Sequence, residues 1–201
     1  MKNDQVRELV LQSLEHELGG VKVYETAIKC AVHAGLKNEW TKYLDETRGH
    51  VVALEQACTA LGIDPKQEVA GRAVVRHVGG ALVEAMQLAQ AAGDPVAAQL
   101  VACECVVLAE TKDHLDWELI KKCGEHLTGK AGEALSEAAG KIEDQEDEHL
   151  YHSKGWCREL WVQSLGMKAV LPPPEEVQKV KTAIGAARAE QAAEKVRLPP
   201  P

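Results

Sequence analysis

The sequence predicts an all-α fold, a four-helix bundle with one long crossover and an extra C-terminal helix or tail. Aromatic residues are only 3% of the 201 and phenylalanine is absent, while Ala, Leu, Glu, Lys and Gln fill long windows without a period-two alternation. Glycine and proline punctuation leaves two long segments, a shorter stretch and two more long segments, the order of a four-helix bundle with one long connection.

The first helix is expected over residues 4–35, with Asp4 as its cap and Val10, Leu14, Val21, Tyr24 and Ile28 as its apolar line. Glu17 falls on that line. The second is expected over residues 37–62, on the stripe Trp40, Leu44, Val51, Leu54, Cys58 and Leu61, ending before Ile63-Asp64-Pro65. Glu46 and His50 border it. Residues 65–93 read as a crossover interrupted by Gly71, Gly79 and Gly80 around a short amphipathic run over 82–92. Asp94-Pro95, a cap followed by proline, opens a helix to about Cys123 with Leu100, Cys103, Val107, Glu110, His114 and Trp117 on one face. The last long helix, residues 130–165, carries Leu135, Ala139, Ile142, Glu146, His149, Trp156 and Leu160 and stops at Gly166. These elements make one bundle domain over residues 1–166. Residues 167–201 form a proline-punctuated tail, with a helix expected over 175–195 that packs outside the bundle or on a partner subunit.

Composition narrows the function. A chain with 45% hydrophobic residues has enough for one real core, and a net charge of -8 repels nucleic acid and anionic lipid. No apolar run approaches the roughly 20 residues that span a bilayer, and residues 1–5 lack an apolar signal core. The expectation is a soluble, cytoplasmic protein. Its six cysteines show no CxxC spacing and read as small buried hydrophobes.

The polar residues on the apolar stripes carry the chemistry. Glu17 precedes Tyr24 by seven residues, and Glu110 precedes Trp117 by seven; Glu46 with His50 and Glu146 with His149 follow in the two halves. Acids and imidazoles belong in an apolar interior only where something neutralises them, and a pair of metal ions does so. His114 and His152 each lie one turn from a candidate ligand and stand as alternatives. His16, His33, His77 and His126 read as solvated or satisfied, and Glu15, Glu25, Glu55, Glu104, Glu118 and Glu148 as surface or boundary acids.

Residues 35–62, with Tyr43-Leu44-Asp45-Glu46-Thr47-Arg48-Gly49-His50 and Leu54-Glu55-Gln56, resemble the bacterial stress-associated ferritin-like family of the YciF type. Glu17 with Tyr24 is similar, more distantly, to the first helix of rubrerythrins and bacterioferritins. The likeness spans about residues 5 to 165. It implies a ferritin-like fold and a metal set of Glu17 and Glu110 as lone carboxylates with Glu146 and His149 as an ExxH pair. Glu46 and His50, four apart, depart from that pattern. At about 1.5 Å per residue, Glu17 lies roughly 27 Å before Gly35, His50 roughly 23 Å after it and Glu46 only roughly 17 Å. The first half-site therefore either uses His50 with a long reach by Glu46 or is degenerate.

Carboxylates with one or two imidazoles suit Fe or Mn. One reading is a di-iron or manganese protein that oxidises Fe(II) with dioxygen or peroxide, or decomposes peroxide, as an oxidoreductase of ferroxidase or peroxidase type. The resemblance implies a stress-linked role, and a homodimer is expected. The alternative is a metal-free helical bundle acting as a stress or interaction protein. An iron-storing cage fits less well, because the tail and crossover do not match compact shell-forming subunits.

Overall fold

In the computed structural model, which describes residues 3–197, every regular element is helical. The first two helices, α1 (Asn3–Cys30) and α2 (Ala34–Leu61), form an antiparallel hairpin. Its turn lies at residues 31–33, earlier than the expected break at Gly35. Gln99 explains the shift: its Oε1 accepts the N–H groups of Val32 and His33, both at 2.7 Å. His33 then caps α2, its Nδ1 accepting from the Gly35 N–H at 3.1 Å. Gly35 serves packing instead, since a Cβ there would come within 3.1 Å of the Trp156 ring. The other end of α2 stops as expected at Gly62, in the left-handed region at φ 68°.

The crossover departs from expectation: α3 (Ala70–Ala91) is one continuous helix lying against α1 and α4 (Pro95–His126). Interior glycines weaken a helix by roughly 1 kcal/mol each relative to alanine, but here they permit close packing. A Cβ on Gly71 would collide with the Gln12 and Glu8 side chains of α1, while Gly79 crosses Gly19 with room for ordinary contact, a Cβ on Gly79 lying 3.6 Å from the Gly19 Cα. Glu15, expected at the boundary, is instead buried between Arg72 at 2.8 Å and Arg76 at 2.7 Å, and so ties α3 to α1. Burial alone would raise its pKa, but the two guanidinium groups hold it below the usual carboxylate value.

Asp94 caps α4 through the N–H groups of Val96 and Ala97, and α5 (Gly129–Ser164) completes a second antiparallel hairpin. The four long helices form a ring in which α1 touches α2 and α4, and α5 touches α2 and α4. Bonds between Glu17 and Trp117 and between Tyr24 and Glu110 fix α1 and α4 as antiparallel. Those joining His50 to Gln145 and Glu46 to His149 do the same for α2 and α5. Consequently α2 and α4 run one way, α1 and α5 the other.

The C-terminal segment is two helices, α6 (Pro174–Val177) and α7 (Ala183–Arg197), and not the single helix expected. Lys179 adopts φ 50°, and the Val180 N–H turns back to the Glu175 carbonyl at 2.9 Å, which buries Val180 and stops α6. Both pieces pack on α5 of the same chain. Glu159, fully buried on α5, holds α7 and the segment before α6: it accepts from Arg158 at 3.0 Å, from the Val170 N–H at 2.8 Å and from Arg197, while Arg158 also donates to Glu175 of α6. Glu159→Ala would leave these donors unmatched, and a loss of about 3 kcal/mol is expected in urea unfolding, with earlier proteolysis within α7.

Two apolar clusters fill the bundle. One gathers Val10, Leu14, Leu54, Trp117 and Ile142; the other gathers Tyr24, Trp40, Met86, Val106 and Trp156. A polar layer separates them. Among the described residues, no helix is long and apolar enough to cross a membrane.

Candidate metal centre

The polar layer is built by one turn from each long helix. Glu17 (α1), His50 (α2), Glu110 (α4), and Glu146 with His149 (α5) are all at most 3% exposed. Their ligand atoms fall into two groups that share a residue. Glu17, His50 and Glu146 offer atoms within 4.8 Å of one another, and so do Glu110, Glu146 and His149. His50 Nδ1 lies 3.3 Å from Glu17 Oε1 and 2.9 Å from Glu146 Oε1, while His149 Nδ1 lies 3.5 Å from both Glu110 Oε2 and Glu146 Oε1. These contacts are within ion-pair reach, yet none has hydrogen-bond alignment. Glu17 Oε2, Glu110 Oε2, both Glu146 oxygens and the Nδ1 atoms of His50 and His149 are buried without a hydrogen-bond partner. Such atoms are costly unless a cation meets them.

Four of the five ligand residues are held from behind. Trp117 donates to Glu17 Oε1 at 2.7 Å, and Tyr24 to Glu110 Oε1 at 2.8 Å. Each ring thus serves the carboxylate of the other helix, because the antiparallel register sets the residue seven past one glutamate beside the other. His50 Nε2 pairs with Gln145 Oε1 at 2.9 Å, and His149 Nε2 with Glu46 Oε2 at 3.0 Å. One ring nitrogen is thereby fixed outward and Nδ1 presented inward, an arrangement typical of metal-ligating histidines.

Without metal, protons do part of the neutralising. Burial alone would depress both histidines, but Glu17 and Glu146 push His50 up to about 11, and Glu110, Glu146 and Glu46 push His149 up to about 9. Burial, aided by Glu110 and Glu17 against the two histidines, pushes Glu146 up to about 7. Glu110 moves the other way: burial alone would raise it, but the nearby His149 and the hydrogen bond from Tyr24 hold it below the usual carboxylate value.

Of the sequence-selected residues, the structure brings Glu17, His50, Glu110, Glu146 and His149 together. Glu46 is set apart: its half-buried carboxylate stays on the outer side of His149, near Gln145 and Lys42. His114 faces Asp147 at 2.8 Å, outside the cluster. His152 joins Tyr43 and Glu39, each at 3.0 Å, one turn beyond His149.

Three residues escaped the sequence reading. Asp113, three residues after Glu110, is buried with Oδ1 unpartnered, and burial together with Glu146, Glu17 and Glu110 holds its pKa far above the usual range. Its spacing from Glu110 marked it as facing the core. Gln145 was hidden as an ordinary polar neighbour of Glu146. Thr47 sits three before His50, as Glu146 sits three before His149, but it bonds the Tyr43 carbonyl at 2.8 Å instead of offering a carboxylate. Comparison with known protein families, curated proteins and solved structures finds no match for this chain.

Proposed function

We propose that the chain is a ferritin-like dinuclear metal protein that holds Fe or Mn and handles dioxygen or peroxide in a stress-linked setting. One observation carries this reading: six buried, inward-facing ligand atoms lack hydrogen-bond partners, on residues whose other atoms are mostly held in place. Glu17 and His50 would bind one cation, Glu110 and His149 the other, with Glu146 between them. Two divalent cations would offset the charge that the Glu17, Glu110 and Glu146 carboxylates bring into the core. The ring of α1, α2, α5 and α4, with a crossover outside it, supports the ferritin-like assignment.

Such a pair of cations, when bound, supplies redox electrons for reducing dioxygen or peroxide. The chain's own residues set the conditions. Tyr24 and Trp117 hold the two lone carboxylates, and the apolar clusters above and below keep bulk water out. Two half-buried side chains link the centre to the surface, Glu46, which touches His149 on one side and Lys42 on the other, and Gln145, which touches His50; together they give protons and cations a polar approach.

Thr47 favours the second reading, a metal-free bundle that acts as a scaffold, because it removes one carboxylate from the α2 side. Protein purified without chelator and titrated anaerobically with Fe(II) or Mn(II) decides between them. About two metals per chain and oxidation faster than free iron are expected. Less than half a metal per chain, with iron oxidised no faster than in buffer, would leave the scaffold.

A further inference from the structure

A cleft of about 200 Å³ opens where α1, α3 and α4 meet, at the level of the metal layer but outside it. The crossing of Gly19 and Gly79 leaves the hollow without side chains at that point. Val75, Leu82 and Leu108 make apolar walls. Its one uncommitted polar feature is His16. Its Nε2 lies 3.0 Å from the Ala109 carbonyl oxygen, which can only accept, so Nε2 carries a proton and, in the neutral ring, Nδ1 is a lone-pair acceptor. Among the described residues, no protein group bonds that Nδ1. Lys112 also lines the cleft, but its ammonium is taken by Asp116.

The chemistry of an occupant follows. An anion would find no free cation, and a cation would find no free carboxylate on the walls. Cavities near 150 Å³ hold benzene, so this volume takes one ring with a small substituent. A donor on that ring would meet His16 Nδ1. We propose that this cleft binds a neutral, single-ring aromatic molecule bearing a hydroxyl group. The bound ring would share an inner wall with the metal layer, since His16 precedes Glu17 and Ala109 precedes Glu110. The binding itself does not depend on metal.

The test is a ligand-observed NMR titration of the full metal-free chain with 4-methylphenol and with toluene. Wild-type protein is expected to bind both. Val78→Trp, at the half-exposed mouth, should abolish binding of both while the helical circular dichroism is retained. His16→Phe should keep toluene and lower the ratio of 4-methylphenol to toluene affinity about ten-fold, the worth of one hydrogen bond. If His16→Phe fails to fold, His16→Gln, which keeps a donor and an acceptor, should retain most of the wild-type ratio. No binding to folded wild-type protein, binding indifferent to Val78→Trp, or a ratio unmoved in folded His16→Phe would each overturn the proposal. So would a dimer on size exclusion that excludes both ligands. Failure here leaves the metal titration untouched, and failure of that titration leaves this one standing.

Discussion

Glu146→Gln is expected to abolish binding of both metals, taking the content from about two per chain to below half. Glu146 offers an oxygen to each group of ligands, whereas Glu17 and Glu110 each serve one. Glu17→Gln should therefore lose one metal and keep the other. The metal-free form should respond in the opposite sense. Burial together with the Glu110 and Glu17 carboxylates disfavours the charged form of Glu146, and removing that charge relieves the repulsion. A rise of about 5 °C in the melting temperature of metal-free Glu146→Gln is expected, on the scale of 1–2 kcal/mol for a chain this long. Metal analysis beside a thermal melt gives both readings. Two metals retained by the variant would disprove the bridging role, and a large loss of stability without metal would show that the carboxylate is needed for packing.

The metal-free protein should grow less stable as pH rises from about 5 to 9, while its metal affinity rises. Glu146, His50 and His149 all have folded-state pKa values above their ordinary ones, at about 7, 11 and 9. Between the ordinary and the raised values the folded chain binds more protons than the unfolded chain, so raising pH favours unfolding. The stability these groups contribute is complete below their ordinary values and is lost as pH climbs through the raised ones. Glu110, with its pKa lowered, acts below about pH 4.5, where its contribution is lost as pH falls. Optimal stability without metal should sit near pH 5, with a melting temperature on the order of 5–10 °C lower at pH 8.5. Cations compete with the same protons at His50 and His149, so affinity for Mn(II) should increase across the same interval. Melts and metal titrations at matched pH values test both slopes. A melting temperature that climbs towards pH 8.5 would contradict the site electrostatics.

Helix existence was legible in the sequence because the apolar spacing repeats over many turns in α1, α2, α4 and α5. The ends were legible where a local device sets them, as at Gly62 and Asp94. They were missed where a distant residue decides: Gln99, far along the chain, fixes the turn after Cys30. The continuous α3 was misread because glycine lowers local propensity, and the close approach of Gly71 to Gln12 and Glu8 of α1 appears only once two helices meet. Five of the six selected residues meet in the structure, and their meeting was legible because each sits on an apolar face. Glu46 was harder, because its spacing from His50 keeps it on that face while its carboxylate reaches the outer nitrogen of His149. Asp113 was marked by its three-residue spacing from Glu110 and passed over, whereas Gln145 needed the inter-helix register, which no single stripe contains.

The two groups of candidate ligands differ in how much of the chain must be assembled to create them. Glu110, Glu146 and His149 all stand on the α4–α5 hairpin, joined by a two-residue turn. Glu17, His50 and Glu146 come from three helices on both sides of the crossover, so their meeting requires long-range loop closure. On the proposed reading, loading during folding should therefore be ordered in time, the hairpin group being assembled for a first cation before the other group exists. At limiting metal the half-loaded species should be one dominant isomer, with Glu17 and His50 the ligands still waiting.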